Sequence, residues 1–319
     1  MKLTHILTGK NDNYAGFFDD RLILTMKYNF HLYKKFGIEA EFLLVEWSPD
    51  SHSQLLSEKL ADVFSEEDFR AYVVREDIHD KIVGHRKWMT FLEFFAKNVG
   101  IQRAKHDFVL CSNADIFLTD DILIKLKNKQ DDNTVYRAER HDVHLDRITK
   151  LNENSFKDAV IKKHKFPKND KVFVDGSGDF TLAHKNVWQK VQGYDENQRF
   201  VKIHKDSRFL FSAEKSGVEF ENLGVIYHID HGTSVPTTGT GNNYRLANGP
   251  YSWRYMLNLP YRNLDNWGLT GENINEEKIS DKIFEIKVKS LNELHYNNDE
   301  EFFIKSQDNL RRFSYFPGG

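Results

Sequence analysis

The sequence predicts an α/β protein with a mostly parallel central sheet flanked by helices. Short apolar runs alternate with amphipathic helical patterns over the first 130 residues, the order expected of repeated strand–helix units. The apolar runs are continuous rather than alternating, as in strands that are buried on both faces. Because ligands of such sheets bind beyond the carboxyl ends of the strands, we expect the loops after residues 8, 45, 74 and 111 to share one crevice.

The first half of the chain supplies four strands and four helices. Buried strands are predicted at 3–8, 42–45, 71–74 and 108–111. Apolar residues at spacings of three and four predict helices at 18–33, 55–64 and 88–99, and Gly37 ends the first of them. Thr119 is expected to cap a fourth helix, with Asp120 and Asp121 in the first turn, where the helix dipole favours acidic groups.

The pattern changes after residue 130. Strands are predicted at 135–138, 180–183 and 225–228, and helices at 186–191 and 206–216. Residues 139–171 are polar and lysine-rich, which indicates an excursion from the core. Residues 232–249 are rich in Thr, Gly and Asn and are predicted to form a mobile loop that could close over a ligand. The last 70 residues are expected to pack as an appendage because they are aromatic and charged; they include Trp253, Tyr255, Trp267, Phe302 and Phe303.

Composition excludes several classes of protein. Lys and Arg number 45 against 48 Asp and Glu, a balance that argues against a nucleic-acid binder. The single cysteine, Cys111, excludes an intramolecular disulfide framework and a zinc site built from cysteines. No apolar run approaches the roughly 18 residues of a membrane span, and the first residues lack the apolar core of a secretory signal. We therefore expect a cytoplasmic protein without a transmembrane segment.

Asn113 and Asp115 directly follow the predicted strand 108–111. On an extended backbone, residues i and i+2 point the same way, so both side chains could face one metal ion. Oxygen ligands suit Mg²⁺ or Mn²⁺, particularly when a diphosphate completes the coordination. Taken alone, the pattern is also typical of a strand-end Asx turn that satisfies local amides.

His228 and His231 lie at the end of the predicted strand 225–228. A histidine at a strand end, paired with a carboxylate from another strand end, is a plausible pair of metal ligands. The spacing of the two histidines is not that of a helical zinc protease, and no Glu follows His228. The segment His141-Asp142-Val-His144 could also bind metal, although surface polar residues on an excursion explain it better.

Two further carboxylates are candidates for chemistry. Asp179 closes the segment Asp175-Gly-Ser-Gly-Asp, whose glycines allow a close approach to a ligand; a plain turn before a strand is the alternative. Asp206 begins a predicted helix, where the helix dipole would keep it ionised as a general base, although Asp is also a favoured N-cap. Lys97 and Asn98 lie on a predicted helix and could face phosphate or solvent.

In their order along the chain, these segments resemble the GT-A glycosyltransferases, particularly those of family 2. The resemblance extends from residue 3 to about 232 and rests on the segments 6–12, 44–46, 96–101, 112–115, 178–180, 193–196, 205–206 and 227–231. It implies a Rossmann-like GT-A fold with a mixed C-terminal half. The corresponding domains are a glycosyltransferase domain at 1–232, with a nucleotide-binding half at 1–130 and an acceptor and metal half at 131–232. Residues 233–319 would form the mobile loop and the appendage.

The resemblance also implies roles for individual residues of the nucleotide-binding half. Thr8, Gly9 and Asn11 would line the nucleotide, and Glu46 would reach its base or ribose. Asp115 would hold the metal on the sugar diphosphate.

In the second half, the resemblance implies catalytic roles for two carboxylates. Asp206 matches the position of the catalytic base, although Lys205 replaces the acid that often precedes it, and Asp179 would contact the donor sugar or the acceptor. Asn113 departs from the more usual Asp, which removes one charge. His228 or His231 would be the late metal ligand.

The implied activity is metal-dependent transfer of a sugar from a nucleotide-sugar to a hydroxyl acceptor. We expect an inverting hexosyltransferase that uses a UDP-sugar and Mn²⁺ or Mg²⁺ in carbohydrate biosynthesis, acting on a glycan, glycolipid or glycoprotein. A homo-oligomer is compatible with the sequence. A sugar-nucleotide nucleotidyltransferase is an alternative, but residues 8–16 lack the Gly- and Arg-rich loop it requires. A non-catalytic carbohydrate-binding domain is the other alternative, and Asn113 is the feature that favours it.

Overall fold

A computed structural model describes residues 1–84, 89–197, 205–231 and 261–294 of the chain. The predicted loop 232–249 and the aromatic residues Trp253, Tyr255, Phe302 and Phe303 lie outside the described residues, as does Trp88. The eleven described strands are β1 (Lys2–Gly9), β2 (Glu39–Trp47), β3 (Phe69–Val74), β4 (Phe108–Ser112), β5 (Ile116–Phe117), β6 (Thr134–Val143), β7 (Val160–His164), β8 (Phe180–His184), β9 (Glu219–Ile229), β10 (Ile274–Lys278) and β11 (Ile283–Val288).

Eight described helices accompany these strands. They are α1 (Phe18–Phe36), α2 (Leu56–Val63), α3 (Glu76–Val83), α4 (Glu93–Arg103), α5 (Asp120–Asn128), α6 (Glu153–Asp158), α7 (Lys185–Val191) and α8 (Lys205–Lys215). Gly37 ends α1 as predicted, because its positive φ of 63° is a conformation that glycine adopts without strain.

All the described strands join one sheet. Its order is β10-β11-β3-β2-β1-β4-β8-β6-β9-β5, and β7 adds to β6. The run β11-β3-β2-β1-β4 is parallel, whereas β8 and β7 are antiparallel to their neighbours. The predicted fold class, a largely parallel sheet with a mixed second half, is confirmed.

Two apolar cores lie on opposite faces of this sheet. Successive residues of β2 separate between them: Phe42 and Leu44 join the core beneath α1, α2, α5 and α6, whereas Leu43 and Val45 join the core beneath α3, α4, α7 and α8. This division follows from the alternation of side chains along a strand. It explains why the strands read as continuous apolar runs.

Several local predictions were wrong. Residues 76–83 form α3, where the sequence had indicated only a charged loop, and α4 begins at Glu93 rather than at 88. Thr119 precedes α5 but makes no side-chain cap; its hydroxyl donates instead to the carbonyl of Val225, 3.0 Å away. The Thr119 side chain therefore forms a tertiary hydrogen bond to β9 instead of the helix cap that the local sequence predicts.

The second half of the chain contributes more strand than its polarity suggested. The predicted excursion at 139–171 contains the end of β6 and all of β7. In the C-terminal part, β10 and β11 extend the sheet beside β3, with Ile283 opposite Ala71. The boundary proposed at residue 232 stays a prediction.

Candidate metal centre and adjoining carboxylates

Asp115, His228 and His231 meet at one edge of the sheet. Asp115 lies in the turn between β4 and β5, and β5 pairs with β9 so that Ile116 faces His228. Nε2 of His231 lies 3.0 Å from Oδ2 of Asp115, and Nε2 of His228 lies 3.5 Å from Oδ1. The potential ligand atoms of the three residues all lie within 4.8 Å of one another. The pairing of two distant strands thus creates the cluster.

Asp142 supports His228 from the side opposite Asp115 by a hydrogen bond to Nδ1. Its carboxylate accepts hydrogen bonds from Nδ1 of His228 (3.1 Å), Nε2 of His164 (2.8 Å) and Nε of Arg140 (2.7 Å). A carboxylate bonded to one imidazole nitrogen fixes the tautomer and leaves the other nitrogen free to bind metal. Here the free nitrogen is Nε2 of His228, which faces Asp115.

The electrostatics of the cluster keep its carboxylates ionised. Burial opposes ionisation of Asp115, but the hydrogen bond from His231 and the charges of His228 and Arg21 outweigh burial and lower the pKa of Asp115. Burial likewise opposes ionisation of Asp142, yet its bonds to His228, Arg140 and His164 lower its pKa. The pKa of His228 is raised, since its two carboxylate neighbours outweigh its burial.

The donor set fits a divalent metal ion. One carboxylate oxygen and two imidazole nitrogens are ligands that Mn²⁺ and related first-row ions accept. Nδ1 of His231 is buried and has no hydrogen-bond partner among the described residues. Nε of Arg21 lies 3.7 Å from Oδ2 of Asp115, and the guanidinium donates to the carbonyls of Gly16 and Tyr14. The segment 14–16 is thereby tied to the site.

Asp179 adjoins the cluster through Asn113 and Arg140. Oδ1 of Asp179 accepts from Nδ2 of Asn113 at 2.7 Å, and Oδ2 accepts from Arg140 at 3.0 Å. Residues 113–115 form a turn instead of the extended backbone expected, so Asn113 faces Asp179 and Lys97 while Asp115 faces the histidines. The expectation that Asn113 and Asp115 share one metal was wrong on this geometry.

Asp206 lies beside the turn that leads into Asp179. Ser177 donates to Oδ2 of Asp206 at 2.6 Å, and the side chain of Asp206 is half-buried at the start of α8. The turn is held by Arg137, which is buried in full and donates to the carbonyls of Phe173, Asp175 and Ser177. Burial lowers the pKa of Arg137 to about 10. The hydrogen bond from Ser177 therefore fixes Asp206 beside the turn that leads into Asp179.

The residues assigned to the nucleotide at the ends of β1 and β2 have mainly structural contacts. Both oxygens of Glu46 accept backbone amides at the start of α2, from Leu56 at 2.8 Å and Ser57 at 2.9 Å. Burial raises the pKa of Glu46 although these bonds oppose the rise. A side chain on Gly9 would meet Phe18 at 2.9 Å, so packing explains this glycine.

Asn11 and Thr8 complete that group. The side chain of Asn11 accepts from the amide of Asp50 and donates to the carbonyls of Asp50 and Gln54, which ties the loop after β1 to the loop after β2. Thr8 is buried. Their roles toward a nucleotide stay predictions.

Lys97 and Asn98 are buried within α4, so the interpretation as solvated residues was wrong, and their assignment to the nucleotide-sugar stays a prediction. Lys97 donates to Glu93, to Asn113 and to the carbonyl of Gly178. Burial would lower the pKa of Lys97, but the charge of Glu93 outweighs it and the pKa is raised. Asn98 bonds both backbone groups of Tyr194, a purely structural contact.

Sequence reasoning missed Arg140 and Arg21. Within the possible metal-binding segment His141-Asp142-Val-His144, Asp142 is the residue that contacts the cluster, through His228. His144 is exposed and lies 3.8 Å from Asp146. The contact results from the register of β6 against β9, in which Asp142 lies opposite His228. Because the two strands are far apart in the sequence, no local pattern predicts it.

The sequence matches no protein-family model and no curated protein sequence. Among solved structures, the chain is similar to the catalytic domain of Drosophila beta1,4-galactosyltransferase 7, with 11% identity, 91% of this chain and 94% of that chain covered, and a TM-score of 0.45. It is similar to mannosyltransferase PcManGT from Pyrobaculum calidifontis, in complex with GDP-Man and Mn²⁺, with 12% identity, 76% and 59% covered, and a TM-score of 0.45. A third is GalNAc-T7 with UDP, GalNAc and Mn²⁺, with 11% identity, 83% and 53% covered, and a TM-score of 0.49.

These structures are glycosyltransferases by their descriptions, the class that the sequence resembles. Identities of 11–12% and TM-scores below 0.5 leave the functional interpretation to the residues of the site. Within the described part of the chain, no helix combines the length and the apolar character needed to cross a membrane.

Proposed function

We propose that the chain is a metal-dependent glycosyltransferase of the GT-A type. The observation that supports this most directly is the cluster of Asp115, His228 and His231, whose ligand atoms lie within 4.8 Å of one another beside two further carboxylates. The donor is a nucleotide-sugar, with UDP-sugars favoured, and the acceptor is a hydroxyl of a glycan, glycolipid or glycoprotein. A cytoplasmic location and a homo-oligomer stay predictions.

We assign metal-binding and positioning roles to the residues of the site. Asp115, His228 and His231 would hold the ion, and Asp142 orients His228 toward it. When bound, Mn²⁺ or Mg²⁺ would neutralise charge on the departing nucleoside diphosphate. Arg140 lies between Asp142 and Asp179 and holds both carboxylates in place.

Asp206 is proposed as the general base. It would take the proton of the acceptor hydroxyl as that oxygen attacks the anomeric carbon from the face opposite the leaving group, which inverts the configuration. Ser177 donates to one oxygen of Asp206 and fixes its orientation. Asp179, held by Asn113 and Arg140, is proposed to contact the donor sugar or the acceptor.

Transfer and donor hydrolysis should be measured with UDP-, GDP-, dTDP- and CMP-sugars, with and without Mn²⁺. We expect turnover of one donor that depends on the metal, and loss of that turnover in Asp115→Ala. Asp146→Ala is the matched control, because the side chain of Asp146 is 88% exposed. Metal-independent turnover, or full activity of Asp115→Ala, would contradict the proposal. Donor binding without turnover would favour the carbohydrate-binding alternative.

A further inference from the structure

Residues 145–171, here called the cationic segment, connect β6 to the loop beyond β7. The segment holds eight Lys or Arg and four Asp or Glu, in a chain whose formal net charge is -3. The excess of positive charge is therefore local. It lies on the side of the sheet remote from β10 and β11.

Most cations of this segment are exposed and have no ion-pair partner within the described ranges. The exception is Lys157, which pairs with Glu153 at 2.7 Å. The positive charge also acts on neighbouring residues: burial is the main cause that lowers the pKa of His141, and the charges of Lys163 and Lys165 lower that pKa further. The exposed cations without a partner are Arg147, Lys150, Lys162, Lys163, Lys165, Lys168 and Lys171.

The same segment exposes three aliphatic side chains. Leu145 is 38% exposed, Leu151 47% and Ile161 42%. Single exposed apolar residues are ordinary, but three within one segment that is also cationic are not explained by the fold. Exposed apolar groups and cations are also the two features that peripheral amphipathic helices combine to bind a membrane interface.

The cationic segment is fixed to the sheet by packing and hydrogen bonds. The ring of Phe156 stacks on Phe117 with centroids 4.5 Å apart. The hydroxyl of Ser155 accepts the amides of Thr149 and Lys150, and β7 pairs with β6. The surface adjoins the candidate metal centre, because His164 of β7 bonds Asp142.

We propose that the cationic segment docks on a membrane surface that contains anionic lipids. The seven cations complement phosphate and carboxylate headgroups, and the three aliphatic side chains would enter the boundary between headgroups and acyl chains. A soluble polyanion such as an acidic glycan or a nucleic acid would be bound by the cations alone and would leave the aliphatic groups without a role. Docking does not depend on the glycosyltransferase proposal, since it needs no turnover.

The test is sedimentation of the full chain with vesicles of phosphatidylcholine alone or mixed with phosphatidylserine. We expect binding to the mixed vesicles that weakens as salt is added. The triple variant Lys162→Gln, Lys163→Gln, Lys165→Gln should lose about fivefold in partition coefficient per lysine removed, or about a hundredfold in all. Leu151→Ser should weaken binding while leaving its salt dependence unchanged.

The matched control is the triple variant Lys2→Gln, Lys81→Gln, Lys278→Gln, which removes three exposed lysines outside the segment, in β1, α3 and β10. It should bind mixed vesicles nearly as well as the parent chain. Equal losses in the two triple variants would show that net charge alone is responsible and would overturn the proposal. Failure to sediment with mixed vesicles, together with retention on a soluble acidic polysaccharide, would assign the surface to a glycan instead. Melting curves of all variants check that each is folded.

Discussion

Asp206 and Ser177 form the contact on which the proposed proton transfer depends. Asn at position 206 keeps the size of the side chain, can accept from the serine hydroxyl, and is still compatible with the start of α8. We expect Asp206→Asn to lower kcat by about 10²–10⁴ while the melting temperature changes little, because only the basicity is lost.

Ser177→Ala is the companion variant for this prediction. It removes the 2.6 Å hydrogen bond but leaves the carboxylate, so we expect a smaller loss in kcat than in Asp206→Asn. Calorimetry should show that donor binding persists in both. Near-normal turnover in Asp206→Asn with a lower melting temperature would reduce Asp206 to a helix cap and make Asp179 the candidate base.

Asp142 is predicted to act through His228 and not on the substrate. In Asp142→Asn, the amide can still accept a hydrogen bond from Nδ1 of His228, but the negative charge that supports the imidazole is gone. We expect Mn²⁺ affinity to fall by about 10- to 100-fold, the usual effect of changing such a partner. Electron paramagnetic resonance of free Mn²⁺ measures this without any assay of activity. An unchanged affinity would show that Asp142 serves only the packing of β6.

Residue-level prediction from sequence succeeded where a polar side chain directly follows an apolar strand. Asp115, His228 and His231 were found in this way, and the structure places them together. The burial of Lys97 and Asn98 could not be predicted, because it depends on contacts with Gly178 and Tyr194, which lie 81 and 96 residues further along the chain.

At the scale of elements, Glu196 joins α4 to the C-terminal segment. Its Oε1 accepts from Asn98 at 2.9 Å and from the amide of Gly268 at 2.9 Å. Burial raises the pKa of this carboxyl from 4.5 to about 7, although both hydrogen bonds oppose the rise. The folded chain thus holds the proton more tightly than the unfolded chain.

Glu196→Gln should change how stability depends on pH. Between pH 4.5 and 7 the unfolded chain loses the proton first, so the free energy of unfolding of the parent falls as the pH rises through this window. The glutamine does not titrate and keeps an acceptor oxygen. The variant should therefore match the parent at low pH and exceed it by about 3 kcal/mol above pH 7, an upper value from the size of the shift.

Urea unfolding at a series of pH values measures this difference. Glu214→Gln on the exposed side of α8 is the control and should follow the parent curve. Parallel curves for parent and Glu196→Gln would mean that Glu196 is ionised in the folded chain throughout this window.

The strands were easier to predict than the helices, and the order of the strands in the sheet was the hardest to predict. Strands buried on both faces give continuous apolar runs, so β1 to β4 were found. The helix α3 was missed because it has only 8 residues, and its apolar residues Ile78, Ile82 and Val83 stand among charged neighbours. The insertion of β11 beside β3 could not be predicted, since the two strands are about two hundred residues apart.

At the scale of the whole molecule, the candidate site joins parts of the chain that are distant in sequence. Asp115 follows β4, Asp142 lies in β6, Asp206 begins α8 and His228 lies in β9. A ligand that contacts several of these residues binds the folded chain and has no comparable site in the unfolded one. Binding must therefore raise the stability of the domain as a whole.

The predicted result is a rise in melting temperature that requires metal and nucleotide-sugar together. At a ligand concentration of a hundred times Kd, the added stability is about 2.7 kcal/mol. For a chain of this size, that corresponds to a shift of roughly 5 °C.

A screen of UDP-, GDP-, dTDP- and CMP-sugars with Mn²⁺ should identify the donor as the one that gives the largest shift, and UDP-sugars are expected to do so. The shift should disappear in His231→Ala, which removes one of the three ligands, and persist in His144→Ala, whose side chain is exposed. Equal shifts for all four nucleotide-sugars, or a full shift without metal, would mean that the ligands bind away from this cluster.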